Sequence, residues 1–156
     1  HVFDLMRFVT SQEIIEVVAM TDGQTDAQPL EHIASMSLRL EDGTIANVSC
    51  GRMLPDTLNN FTVYGTDGRF TGIATVWEAR MGSLEVVSET INKTENFEYD
   101  YLANFVAELS DFRSALEEDQ EPAATGTDGV RSTEVNSAVI ESAKTGRAVK
   151  IERRSF

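Results

Sequence analysis

His1 and Asp4 are the residues whose types and spacing could do chemistry at the start of this chain. Side chains three positions apart lie on the same face of a helix, so a helix here would place the two side by side. An imidazole has a pKa near neutrality, which suits it to take up or release a proton during a reaction. The pair predicts an acid–base site, although a histidine at a terminus could equally be a frayed surface residue or the remnant of a tag.

Arg52 is the candidate for binding a substrate, because it follows a predicted strand, where a loop could reach a small molecule. Asn47 and Ser49 lie on the polar face of that same strand. For all three, a solvated or interface role is the favoured alternative. His32 begins a strand and is expected to be structural or exposed.

The sequence lacks the motifs of cofactor, metal and nucleophile sites. The segment Gly65-Thr66-Asp67-Gly68 is typical of a hairpin turn, and no G-x-G-x-x-G joins a strand to a helix. There is also no H-E-x-x-H, no C-x-x-C and no G-x-S-x-G. We therefore expect no dinucleotide and no metal to bind to this chain by itself.

Hydrophobic periodicity predicts a helix followed by a series of strands. Residues 1–9 carry an apolar helical stripe, and residues 13–20 are so continuously apolar that a strand buried on both faces is expected. Residues 34–40 and 46–50 alternate between apolar and polar around an Asp-Gly turn, so one face is buried, and Cys50 is expected on that face. Further strands are predicted at residues 60–66, 70–76 and 84–91.

Two helices and a short strand complete the predicted elements. Residues 100–118 form the longest helix, whose stripe of Leu and Phe residues is expected to pack on the sheet. The next helix begins near Thr127 or Asp128, either of which could cap it, and ends at Gly146. Its small apolar residues would let it lie close to the sheet, and a strand follows at residues 148–151. The buried stripe of this helix is predicted to be Val135, Ala138, Val139 and Ser142.

Strands followed by helices indicate an α+β fold. We expect one domain over residues 1–156, with a largely antiparallel open sheet, helices packed on one face, and the other face open for oligomerisation.

Two segments near the C-terminus resemble a known family. Gly-Thr-Asp-Gly-Val-Arg at 126–131 and Ser-Ala-Lys-Thr-Gly-Arg-Ala-Val at 142–149 look like the C-terminal signature of the glucose–fructose oxidoreductase / inositol dehydrogenase / MocA family. The Asp-Gly turns at residues 42–43 and 67–68 are similar to turns of the same family. His1 and Asp4 match the second half of its Asp-x-x-x-His-x-x-Asp pattern, whose first Asp would lie upstream of this chain.

The resemblance implies the following function. The chain would be the C-terminal substrate-binding and oligomerisation domain of an oxidoreductase that uses NAD or NADP and acts on a secondary alcohol of a sugar or polyol. The coenzyme would be held mainly by an N-terminal Rossmann domain outside this chain. The isolated chain would be inactive. His1 would serve proton transfer, together with a Lys of the other domain. The alternative is a non-catalytic, acidic module that forms homodimers or acts as a sensor.

Composition narrows the possible partners and the compartment. A net charge of −13 disfavours nucleic acids and anionic membranes, which would be repelled. The acidity fits either a high-salt habitat or an ordinary acidic bacterial surface, and the second is favoured. A single cysteine leaves no internal disulfide, and the start has no basic region or cleavage site typical of a signal peptide, so a cytoplasmic protein is expected.

Overall fold

The structure is a computed structural model that describes residues 1–23, 30–55, 57, 59–76, 81–98 and 100–153. These residues form three helices and eight strands. In chain order the elements are α1 (Val2–Thr10), β1 (Ile14–Thr21), β2 (Ile33–Leu40), β3 (Ile45–Gly51), β4 (Phe61–Gly65), β5 (Gly68–Ile73), β6 (Met81–Ser88), β7 (Asn92–Glu98), α2 (Tyr101–Glu118), α3 (Gly126–Thr145) and β8 (Val149–Lys150).

The chain divides into two compact units, and each contains one antiparallel sheet. The first unit comprises residues 1–55 and 124–156, and its sheet has the strand order β3-β2-β1-β8. The second unit comprises residues 56–123, and its sheet has the order β4-β5-β6-β7. The α+β class and the antiparallel pairing are confirmed, but the strands form two sheets where the sequence led us to expect one.

The core of the first unit lies between its sheet and α3. Val17 of β1 and Leu38 of β2 are fully or almost fully buried beneath this helix. The predicted stripe of α3 is confirmed, since Val135, Ala138, Val139 and Ser142 are its buried residues. Small side chains on that stripe allow close packing on the sheet, and burial of apolar area provides the main driving force.

The opposite face of the first sheet is uncovered. Val18 and Met20 of β1 are 46% and 76% exposed, so the prediction that this strand is buried on both faces is wrong. Its continuous apolar run instead supplies one core face and one exposed apolar face. Cys50 is also exposed, contrary to expectation, because it lies near the end of the edge strand β3, opposite the half-buried Ala34.

The second unit differs from expectation in two ways. Strand β7 was not predicted, because all seven of its residues are exposed and mostly polar, which leaves no apolar alternation to detect. Such a charged strand is typical of a sheet edge. Helix α2 begins after the cap Asp100, close to the predicted start. Its apolar stripe is 50–69% exposed, so the expected packing of the stripe on the sheet is wrong; the residues are Leu102, Phe105, Val106, Leu109, Phe112 and Leu116.

Helix α3 starts with a reciprocal cap. Thr125 is the N-cap, where Thr127 or Asp128 was predicted, and its Oγ1 accepts a hydrogen bond from the Asp128 backbone N–H at 3.4 Å. In return the Asp128 carboxylate accepts bonds from the Thr125 backbone N–H at 2.8 Å and from its hydroxyl at 2.7 Å. This capping box satisfies donors that a helix start would otherwise leave unpaired. The helix ends as predicted at Gly146, with a left-handed φ of 66°.

A helix that crosses a membrane must be long and apolar. Among the parts of the chain that the structure describes, no helix meets that requirement.

Ser142 to Ala should destabilise the first unit. The buried Ser142 Oγ accepts a bond from the Ala19 backbone N–H at 2.9 Å and donates one to the Arg147 carbonyl at 2.6 Å. Strand β8 is too short to pair with this part of β1, so the hydroxyl replaces a strand partner. Its loss would leave a buried donor unpaired, and we expect a reduction of about 1–3 kcal/mol in the free energy of unfolding, measured by urea denaturation.

The matched control is Ser137 to Ala in the same helix, where the exposed hydroxyl donates only to the Thr133 carbonyl one turn earlier. We expect a change within about 0.5 kcal/mol there. Equal effects of the two substitutions would show that the Ser142 hydroxyl has no special role.

Asp128 should make stability depend on pH in the acid range. The bonds from Thr125, first from its backbone and then from its hydroxyl, lower the pKa of Asp128 from 3.8 to about 2, and Arg7 adds a smaller effect. A lowered folded-state pKa stabilises the fold above the unfolded-state value, and the contribution is lost as pH falls through the folded-state value. We expect Asp128 to Asn to cost about 1–2 kcal/mol near neutral pH, and the gap to the wild type to close between about pH 4 and 2. Urea denaturation at several pH values measures the gap, and a gap independent of pH would contradict the assignment.

Candidate functional site

His1 and Asp4 lie at the start of α1. His1 is the exposed N-cap residue, and its side chain makes no capping hydrogen bond. Asp4 is in the first turn, where its carboxylate favours the positive end of the helix dipole, and its side chain is half exposed. Phe3 is buried in the core and turns the inward face of α1 toward the sheet, while Phe8 is exposed on the outside. The structure thus places both predicted residues at the same accessible end of one helix.

Arg7 lies in the last turn of α1 and makes bonds to three carboxylates. Its Nε and Nη2 donate to the two oxygens of Glu13 at 3.0 and 2.9 Å, a bidentate pair. Its Nη1 donates to Asp128 Oδ1 at 3.0 Å and, at a longer 3.4 Å, to Asp4 Oδ1. The bond to Glu13, followed by the bond to Asp128, raises the pKa of Arg7 above its ordinary value. The guanidinium is therefore a permanent cation within an acidic cluster.

A shallow depression of about 270 Å³ surrounds this cluster. Of the predicted site residues, Asp4 lines it, and His1 and Arg52 do not. One positive charge faces three negative ones there, so the depression disfavours anions such as phosphate. Its chemistry is that of a structural ion-pair cluster. The lining residues are Asp4, Arg7, Phe8, Ser11, Gln12, Glu13, Ala124 and Asp128.

Arg52 lies elsewhere in the first unit. It is exposed in the turn after β3, and its backbone N–H donates to the His32 carbonyl at 3.1 Å. That turn is at the end of the sheet where Ile33 pairs with Gly51, whereas the α1–β1 connection is at the other end, where the Glu41 N–H donates to the Glu13 carbonyl. The structure does not bring Arg52 to the Arg7 cluster.

The polar residues Asn47 and Ser49 belong to the exposed face of the first sheet. Asn47 Oδ1 accepts a bond from the Ser37 hydroxyl at 2.8 Å, and the hydroxyls of Ser49 and Ser35 are 3.2 Å apart. These cross-strand pairs supply polar groups on the uncovered face.

The starts of α1 and α3 are not suited to bind the pyrophosphate of a dinucleotide. A pyrophosphate is bound by free backbone N–H groups at a glycine-rich helix start. At the start of α3 the Asp128 carboxylate occupies that place, and Asp4 puts a negative charge in the first turn of α1. Within the described part of the chain, no group of three or more His, Cys, Asp or Glu side chains is arranged to hold a metal ion.

Sequence reasoning missed the Arg7 cluster. Two local signals were available: Asp4 and Arg7 are three residues apart on one helix, and Thr125-x-x-Asp128 is a capping-box spacing. Neither signal reveals that Arg7 and Asp128, which are 121 positions apart, bond to each other.

The chain matches known proteins along nearly its whole length. The family model described as "Oxidoreductase family, C-terminal alpha/beta domain" matches residues 1–151. A curated relative, the 1,5-anhydro-D-fructose reductase of Ensifer adhaerens, is 28% identical over 153 residues, which cover 97% of this chain and 45% of the relative.

Solved structures share the fold. Levoglucosan dehydrogenase in complex with NADH and L-sorbose is 16% identical with a TM-score of 0.82, covering 99% of this chain and 48% of the other. The aldose-aldose oxidoreductase of Caulobacter crescentus, complexed with glycerol, is 19% identical with a TM-score of 0.77, covering 94% and 44%. The chain thus spans less than half the length of these proteins. The match over residues 1–151 shows that the chain belongs to the glucose–fructose oxidoreductase / inositol dehydrogenase / MocA family and corresponds to its C-terminal alpha/beta domain.

Proposed function

We propose that this chain is the substrate-binding and oligomerisation domain of an NAD- or NADP-dependent oxidoreductase that acts on a secondary alcohol of a sugar or polyol. The observation that supports the proposal most is the family match over residues 1–151, in which His1 and Asp4 occupy the start of the first helix. The relatives named above act on, or were crystallised with, sugars and polyols, which supports the substrate class. We place the protein in the cytoplasm, and we propose that the chain acts as one domain of a longer protein.

In this proposal His1 transfers the proton of the substrate hydroxyl. Oxidation of a secondary alcohol removes a proton from oxygen and a hydride from carbon, and an exposed imidazole can accept that proton near neutral pH. Asp4, on the same helix face, would stabilise the imidazolium that forms. Arg52 is proposed to donate hydrogen bonds to substrate hydroxyls from its exposed turn.

The coenzyme is assigned to another part of the full-length protein. Carboxylates at the starts of α1 and α3 would repel a pyrophosphate there, which supports this assignment. The related levoglucosan dehydrogenase was solved in complex with NADH, which supports a nicotinamide coenzyme here as well. The isolated chain is accordingly proposed to be inactive.

The uncovered face of the first sheet is proposed to contact a second copy of the protein. Exposed Val18 and Met20 lie there beside hydrogen-bonded pairs such as Ser37 with Asn47. Apolar side chains mixed with paired polar groups are typical of an interface. The face also lacks a charge excess, since Arg39 donates to Glu16 at 3.1 Å.

Substitution of His1 in the full-length enzyme tests the catalytic assignment. We expect His1 to Asn to lower kcat by about 100-fold or more, measured by coenzyme reduction with a panel of sugars and polyols, since a positioned acid–base group contributes a factor of this order. The control is His32 to Asn, the chain's other histidine, whose imidazole lies 3.7 Å from Asp22. Equal activity of the two variants, or turnover by the isolated chain, would contradict the proposal.

Substitution of Met20 tests the interface. We expect Met20 to Lys to convert an oligomer to smaller species by light scattering, because it would bury an unpaired charge in the contact. Ile140 to Lys is the control, because it changes an apolar residue of α3 that is likewise exposed, at 48%. Retention of the oligomer by the Met20 variant would place the contact on another surface.

A further inference from the structure

Three parts of the first unit meet at the guanidinium of Arg7. It binds Glu13 just before β1, Asp128 in the capping box of α3, and Asp4 within α1. The Arg7 side chain is only 13% exposed, so water competes little for these bonds. Charge-assisted and bidentate bonds of this kind are the strongest and most directional that side chains form.

The other contacts of helix α1 with the core are apolar. It is nine residues long, too short to be stable without tertiary contacts. Phe3 anchors it to the core, and Val2 and Met6 pack against the core beside it, but hydrophobic contact is non-directional and leaves the rotation of the helix about its axis loosely defined. Arg7 lies one turn after Phe3 on the same inward side, and it adds a directional contact.

We propose that Arg7 is a positioning residue that fixes the rotation of α1 and thereby the direction in which the His1–Asp4 face points. The apolar contacts around Phe3 hold α1 against the core, and the bonds of Arg7, one turn later, set its rotation. The bond from Nη1 to Asp4 also restrains one member of the pair itself. The consequence for catalysis rests on the proposed function, whereas the consequence for α1 rests on the geometry alone.

Arginine and lysine are not equivalent in this role. Arg7 to Lys keeps the positive charge among the three carboxylates but loses the planar fork of N–H donors that bonds both Glu13 oxygens side by side while a further N–H bonds Asp128. The substitution therefore separates orientation from simple charge neutralisation. Arg39 to Lys is the matched control, because Arg39 also forms an ion pair, with Glu16, but both residues lie in strands of the first sheet and not in α1.

Amide hydrogen exchange on this chain tests the geometric part. In Arg7 to Lys we expect the amides of α1 to exchange about 10-fold faster or more, while those of the buried strand β2 keep their protection, because loosening is local. Arg39 to Lys should leave α1 unchanged. Unchanged α1 protection, or an equal loss throughout the first sheet, would overturn the proposal, since the second result indicates a general stability role.

Kinetics of the full-length protein test the catalytic part. We expect Arg7 to Lys to lower kcat about 10-fold with the KM for coenzyme unchanged, since a small misplacement of a reacting group is costly while coenzyme binding lies elsewhere. Loosened α1 with a normal kcat would overturn positioning as a catalytic role. A wild-type enzyme that oxidises no sugar or polyol would contradict the proposed function, and hydrogen exchange would still decide whether Arg7 holds α1.

Discussion

The bond between Arg7 and Asp128 connects the two chain segments that make up the first unit. Residues 1–55 and 124–156 meet there, because α1 belongs to the first segment and α3 to the second. Asp128 is also part of the capping box, so the same carboxylate stabilises the start of α3 and accepts the hydrogen bond from Arg7 of α1. Because α3 packs on β1, its contacts with α1 fix the helix that begins with His1 and Asp4 relative to the sheet. Cap, ion pair and core thus support one another.

The chain exposes apolar side chains on two surfaces. Met20 on the first sheet and the stripe of α2 both face solvent in the isolated chain. Contiguous exposed apolar surface is uncommon on proteins that act alone, and it marks sites of interaction. The sheet face is nearly neutral, whereas α2 carries several acidic residues beside its stripe, among them Glu108 and Asp111. The two exposed apolar surfaces therefore differ in charge.

Features with a local signal were mostly predicted, although the cap of α3 is Thr125 and not Thr127 or Asp128, and features that depend on distant partners were not. The stripe from Val135 to Ser142 and the stop at Gly146 follow from helical periodicity and capping chemistry, which are local. The exposure of α2 could not be predicted, because periodicity shows which face is apolar but not whether anything covers it. Strand β7 was missed because its polar residues carry no periodic signal.

The same distinction holds for the candidate site. His1 and Asp4 were predicted from type and spacing, and the structure places both at the start of α1, but their role in catalysis stays a prediction. The Arg7 cluster depends on a contact across 121 positions, which the sequence alone does not reveal.

The most direct test of this account is a crystal structure of the full-length protein with a polyol and its coenzyme bound. The account predicts a His1 imidazole nitrogen within about 2.6–3.2 Å of a substrate hydroxyl, with Arg7 still bonded to Asp128. A substrate bound away from the start of α1, with His1 in solvent, would contradict it.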